Sequence, residues 1–258
     1  MKRTKIKLDT RDFPASIMHL CEGATFYDSS CSPEARVIYA EKACGYFIKT
    51  APAGSLKKEA LLDSYFHSLG LSAPVVEYIT HGERDFLVTE RIEGEDATHS
   101  LYLSDPRRLA TKMGEILREL HETDFSNCPV SERMSDYFAT VRENYKKGAY
   151  DLSFSSFENA DEAYRVALEG EKMLKSDTLI HGDFCLPNFL LDNWRFSGYI
   201  DLGNGGVGDR HVDLFWGAWT LNFNLKTDAY RDLFFDAYGR DKIDENALLA
   251  VSAAEVFG

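Results

Sequence analysis

The chain has 258 residues, room for one large domain or a compact two-lobed one, and its 44% hydrophobic and 13% aromatic content argues against a mainly disordered protein. Its formal net charge of −13, from 42 acidic against 29 basic residues, disfavours a nucleic-acid duplex or an anionic membrane as partner, because both need a positive surface. No apolar stretch reaches the length of a membrane span, and the basic residues 1–10 are not followed by a signal-peptide core, so a cytoplasmic protein is expected.

Taken in chain order, residues 37–42 and 45–50 read as two strands around a turn at 43–45. Residues 56–69 have helical character, with Leu62, Tyr65, Phe66 and Leu69 recurring at three and four residues and Gly70 as the stop. Residues 74–79 and 85–90 form a second strand pair about His81-Gly82. The first ninety residues thus predict a small antiparallel sheet with one inserted helix. Helices follow at 109–121, with Leu109, Met113, Ile116, Leu117 and Leu120 on one stripe, and at 134–147 and 160–174. Residues 177–208 mix short apolar runs with Gly, Pro and Asn, which predicts loops between short strands. Helical patterns return at 212–219, 228–237 and 245–257. The order is β-rich then α-rich, with the boundary near 90–97, and an interface between two such lobes is a natural place for a ligand cleft. Cys21, Cys31, Cys44, Cys128 and Cys185 are scattered, with no CxxC pair or zinc spacing, and are expected as free thiols.

The chemistry concentrates in His181-Gly182-Asp183-Phe184-Cys185-Leu186-Pro187-Asn188 and in Ser197-Gly198-Tyr199-Ile200-Asp201-Leu202-Gly203. Residues 189–191 and 196–200 read as a hairpin that sets Asn188, before one strand, beside Asp201, after the other. Two such oxygen donors suit Mg²⁺, which takes one or two protein ligands and completes its shell with phosphates and water. Asp183 lies too far back to be an obvious third ligand and is placed to receive a proton from an incoming hydroxyl. Each alone has an ordinary alternative: Asp183 capping a turn, Asn188 in an Asx-turn, Asp201 in a tight turn before Gly203.

HGDxxxxN followed by DLG resembles the catalytic and metal-binding motifs of the protein-kinase-like antibiotic phosphotransferases. The Cys-Leu-Pro filling and the run Arg195 to Asp201 most resemble the aminoglycoside 3'-phosphotransferases. The resemblance implies an α+β, protein-kinase-like two-lobed fold, with a nucleotide-binding lobe at 1–92 and a catalytic, substrate-binding lobe at 93–258. It implies a kinase that uses ATP or GTP with Mg²⁺ to phosphorylate an aminoglycoside, at the 3'-hydroxyl. By it, Asp183 is the catalytic carboxylate, Asn188 and Asp201 hold Mg²⁺, His181 supports the loop, and Asp213 braces it. Read on its own, Asp213 is an acid before an apolar helix, for which an N-cap role is equally natural.

In the first lobe, Lys49 matches the lysine that contacts the α- and β-phosphates, and Glu59 the acid that pairs with it. Phe47 is similar in place to the aromatic that stacks on adenine. Ser32 falls in the phosphate-covering loop, and Val88, Glu90 and Ile92 in the hinge that reads the adenine edge. For the acceptor, a cationic small molecule, the resemblance points to Asp151, Asn204, Glu255 and Phe257. Five features depart from it: Ala254 replaces an aspartate, Gly258 is added after the phenylalanine, Asn204 replaces an arginine, Asn222-Phe223-Asn224 replaces an acid-bearing stretch, and Ser153, Ser155 and Ser156 occupy a loop that is typically acidic. Another hydroxylated antibiotic or metabolite is the alternative acceptor, and a non-catalytic nucleotide binder the alternative role. A monomer and a homodimer both fit.

Overall fold

The computed structural model describes residues 4–9, 11, 13–30 and 35–258. The chain divides into two compact units, Met1–His99 with Pro187–Gly203, and Ser100–Leu186 with Asn204–Gly258.

In the first unit β1 (Thr4–Ile6), α1 (Ala15–Leu20) and β2 (Thr25–Asp28) precede β3 (Arg36–Glu41) and β4 (Tyr46–Pro52). Helix α2 (Lys57–Ser68) is followed by β5 (Val75–His81), β6 (Arg84–Glu90) and the short β7 (Glu95–Asp96). The six longer strands make one antiparallel sheet in the order β1-β2-β3-β4-β6-β5. Both expected strand pairs and the inserted helix are present; β1, α1 and β2 are additions that the short, mixed-polarity N-terminal segments did not announce. Alternation along β4 sends Ile48 into a core with Ile17, Ile38, Phe86 and Val88, and leaves Phe47 and Lys49 on the opposite face. Buried Asp85 accepts from the Leu56 amide (3.1 Å), the Tyr78 hydroxyl (3.0 Å) and the Thr80 hydroxyl (2.7 Å). That ties the start of α2, which has no side-chain cap, to the sheet.

In the second unit α3 (Ser100–Leu103) leads into α4 (Pro106–His121), opened by an Asp105 cap and Pro at the first turn. Then come α5 (Arg133–Lys147), α6 (Ala160–Gly170) and β8 (Thr178–Ile180). The next two strands, β9 (Phe189–Asp192) and β10 (Arg195–Tyr199), return to the first unit, where β9 pairs with β7 and the Tyr199 amide donates to the Leu71 carbonyl at 2.8 Å. Each compact unit is therefore assembled from two separate stretches of the chain. The second unit closes with β11 (Gly206–Gly208), paired to β8, and with α7 (Arg210–Leu225), α8 (Arg231–Tyr238) and α9 (Glu245–Ala254). The α4 stripe Leu109, Met113, Ile116, Leu117 and Leu120 is buried as its spacing predicts. Helix α6 stops at Gly170, four residues short of expectation, and α7 extends to both sides of 212–219 because Asp209 caps it at the His211 amide (2.9 Å). Among the described residues no helix is long and apolar enough to cross a membrane.

Candidate functional site

In the first unit the Lys49 ammonium sits 2.8 Å from both Glu59 oxygens and 2.7 Å from Asp201 Oδ1. Lys49 comes from the exposed-side register of β4, Glu59 from the first turn of α2, and Asp201 from the end of β10. Burial works against the charged ammonium, but the fields and hydrogen bonds of Asp201 and Glu59 outweigh it and hold the lysine above its ordinary range. Glu59 is itself pushed up by burial, partly offset by Lys49.

The hairpin that delivers Asp201 turns through Asn193 (φ 47°) and Trp194 (φ 70°), both left-handed as a two-residue type I′ connection demands. The Ile200 amide donates to the Asn188 carbonyl at 3.0 Å, so residue 188 and the end of β10 leave the open end of the hairpin together. Asp201 has φ 61°, a conformation an aspartate tolerates better than most residues. Its side chain is half exposed, whereas Asn188 is buried.

Phe47 is half-buried, with its ring 5.1 Å from that of Tyr39. Val88 lies wholly in the sheet core opposite Ile48, so its side chain serves packing. Glu90 and Ile92 are half-buried; the Glu90 amide donates to Pro74 (3.2 Å), and Ile92 lies against Gly198. Ser32 falls outside the described residues. One acid escaped the sequence reading: buried Asp63, one turn beyond Glu59 on α2, held well above the carboxylate range by burial and then by Glu59. The i, i+4 spacing of the two acids was its only local signal.

In the second unit, fully buried Asp213 accepts from the His181 amide (2.8 Å), the Gly182 amide (2.7 Å) and His121 Nε2 (3.0 Å). It lies inside the first turn of α7, and the N-cap role that its local sequence also allowed belongs to Asp209. Burial lowers the His121 pKa despite Asp213, so a neutral ring donates from Nε2 and accepts the Tyr238 hydroxyl at Nδ1 (2.8 Å). Gly182 has φ 83°, and a Cβ there would run into the Asn204 carbonyl, so the turn requires glycine. His181 is fully buried and its Nδ1 accepts the Asp183 amide at 3.3 Å. The Asp183 carbonyl takes the Cys185 amide (2.8 Å), and the Leu186 amide donates to the Thr220 hydroxyl (3.2 Å). Asp183 itself is half-buried on this pinned loop.

The C-terminus packs nearby. Glu255 is buried and accepts the Tyr137 hydroxyl at 2.7 Å; Phe257 is buried among Tyr145, Tyr150 and Tyr164. Asn204 gives its carbonyl to Arg133 Nε at 2.6 Å, and that guanidinium lies 5.0 Å over the Tyr137 ring. Asp151 is exposed and caps a short turn through the Ser153 amide (2.8 Å). Arg133 and Tyr137 carried no motif in the sequence; only packing of α5 on the terminal turn reveals them.

Burial raises the Glu255 pKa to about 7, against the pull of Tyr137, Arg133 and a Trp216 hydrogen bond and with a push from Asp183. A raised acid favours the fold while protonated, so its contribution falls as pH climbs from the unfolded value near 4.5 through 7. Replacing Glu255 with Gln should remove a pH-dependent component of order 1–3 kcal/mol. Melting curves of both proteins from pH 4.5 to 8 check this: the wild type should lose ground to the variant as pH rises, and parallel curves would refute it.

Residues 31–249 match the model of the phosphotransferase enzyme family, APH. The chain belongs to the APH family. It is therefore a phosphotransferase enzyme of protein-kinase-like fold, as the motifs led one to expect. Similar proteins include a probable aminoglycoside 3'-phosphotransferase of Lactococcus lactis, 44% identical over 98% of both chains. A streptomycin 3''-kinase of Streptomyces griseus is 29% identical over 65% of each chain. The crystal structure of an aminoglycoside-3'-phosphotransferase of type VIII superposes with a TM-score of 0.72, covering 92% of this chain and 94% of that one at 24% identity, which shows a shared APH fold.

Proposed function

We propose that this APH-family chain transfers the γ-phosphoryl group of ATP or GTP, held with Mg²⁺, to the 3'-hydroxyl of an aminoglycoside. The observation that carries the reading is the Lys49 ammonium held by Glu59 and Asp201 within one unit. A buried ammonium fixed on one side by Glu59 is pre-aimed, and triphosphate oxygens are the anions such a lysine serves in phosphoryl transfer. Asn188 and Asp201 fit Mg²⁺: both offer hard oxygens, the backbone bond between Ile200 and Asn188 brings their positions together, and Lys49 engages one Asp201 oxygen. Mg²⁺ there would neutralise charge on the phosphates.

In this reading the first unit binds the nucleotide and the second presents Asp183 to the acceptor. Asp183 orients the attacking hydroxyl and accepts its proton as the oxygen–phosphorus bond forms and the nucleoside diphosphate leaves. Glu255 supports a cationic acceptor: an ammonium nearby would draw its carboxyl, poised near pH 7, toward the ionised form. The relatives' names favour an aminoglycoside and the 3' position, although the streptomycin relative is named for 3''.

The test is nucleotide consumption by the purified protein with Mg²⁺, ATP or GTP and a panel of kanamycin A, neomycin B and streptomycin, followed by NMR of the product. Phosphate on the 3'-oxygen of kanamycin A is expected. Transfer to another oxygen removes the 3' assignment, and no consumption with any member removes the aminoglycoside.

A further inference from the structure

One stripe of α7 holds the loop that bears Asp183. It consists of Asp213, Gly217, Thr220 and Asn224, at helical spacings of four, three and four. Asp213 accepts the His181 and Gly182 amides, and Thr220 accepts the Leu186 amide at 3.2 Å. Gly217 leaves room for the Phe184 ring, which an added Cβ would press upon. One turn on, the Asn224 side-chain amide donates to the Thr220 carbonyl (2.8 Å) and to the Thr220 hydroxyl oxygen (3.2 Å).

Cys185 lies between this stripe and Asp183. It is buried, and its side chain hydrogen-bonds both Asp183 and Thr220. The direction of each bond follows from the donors and acceptors present. A carboxylate can only accept, so the thiol donates to Asp183. The Thr220 oxygen already accepts N–H groups from Leu186 and Asn224, so its own hydrogen goes to the Cys185 sulfur. Asn224, Thr220, Cys185 and Asp183 thus stand in one file, every donor pointing toward the carboxylate.

Burial, and then the charge of Asp183, push the Cys185 thiol well above its ordinary range. The sulfur keeps its proton and is no nucleophile. A buried cysteine is commonly a small apolar filler, but here it makes two polar bonds. The terminal torsion of an aspartate is broad, whereas transfer needs the carboxylate aligned on the acceptor hydroxyl. A donor on one side supplies that alignment. A thiol is a weak donor, so it restrains rotation while drawing little of the negative charge.

We propose that Cys185 is a positioning residue for phosphoryl transfer: the Thr220 hydroxyl aims its thiol, and the thiol donates to the Asp183 carboxylate and fixes the rotation of that group. This deepens the function proposed above and rests on it.

The test compares Cys185→Ala and Cys185→Ser with wild type in transfer to kanamycin A, neomycin B and streptomycin, after melts show each variant folded. Cys185→Ala should lower kcat by about 3- to 30-fold with both KM values within about twofold. Cys185→Ser restores a donor and should regain most of the loss. Infrared difference spectra against either Cys185 variant isolate the Cys185 S–H stretch. That band should move to higher frequency in Asp183→Asn, and should move also in Thr220→Val. A band that stays in place in Asp183→Asn overturns the proposal, and one that stays in Thr220→Val removes Thr220 from it. Turnover lost in Asp183→Asn, with kcat within about twofold of wild type in Cys185→Ala, overturns the positioning role and leaves phosphotransfer standing. With no turnover on any compound, the acceptor reading fails alone if the band shifts in Asp183→Asn, and both fail if it does not.

Discussion

Replacing Asp183 with Asn should lower kcat by about 10²–10⁴-fold while changing nucleotide KM and melting temperature little. Other groups hold the loop backbone: its amides are held by Asp213 and His181, and its fold at Gly182 by the close approach of Asn204. The residue is half-buried. In the proposed mechanism the substitution removes a base and an orienting acceptor for the hydroxyl, an effect confined to the transition state. Asparagine keeps the shape and loses the negative charge, so steady-state kinetics beside a thermal melt separate chemistry from folding. Near-normal turnover in a folded Asp183→Asn protein would end the catalytic assignment.

Asp213 should behave in the opposite way. Its two oxygens satisfy two buried amides and a buried imidazole, and alanine would leave all three without an acceptor. Each partner left unsatisfied costs about 1–3 kcal/mol, so the three together cost roughly 3 kcal/mol or more. For a chain of this size, that lowers the melting temperature by roughly 6 °C or more. Activity should fall with it, because the His181–Gly182 turn that presents Asp183 loses its anchor. Asparagine retains one acceptor but turns an N–H₂ toward a donor, so it should lie between wild type and alanine. A melting temperature within about 2 °C of wild type for the alanine variant would show that the buried network is not stabilising.

Much of this architecture was readable along the chain. The β-then-α order, the α2 insertion and the α4 stripe follow from periodicity, which burial on one face imposes on any sequence. Candidate residues 181–188 and 201 stood out because a short hairpin, whose turn chemistry is local, joins them. Lys49 stood out only through the family resemblance, and its Asp201 partner lies 152 residues away. Less legible were elements with weak local patterns. The β1–α1–β2 start consists of short pieces of mixed polarity, and β8 and β11 have three residues each. Gly170, at the end of α6, is glycine because of a distant neighbour: an added Cβ would strike Ala250.

Local composition and spacing were enough to specify the kind of fold and the carboxylates that chemistry would need, because turns, strand alternation and helical stripes are encoded within a few residues of one another. Which acids are charged, which are shielded and what surrounds them was settled by folding. Glu255 acquires its high pKa from exclusion of water, against the bond it accepts from Tyr137, 118 residues earlier. Glu59 and Asp63, one turn apart on α2, come under the field of Lys49 only through packing of the helix on the sheet. Desolvation and close packing act through space, between groups whose separation along the chain carries no sign of their meeting.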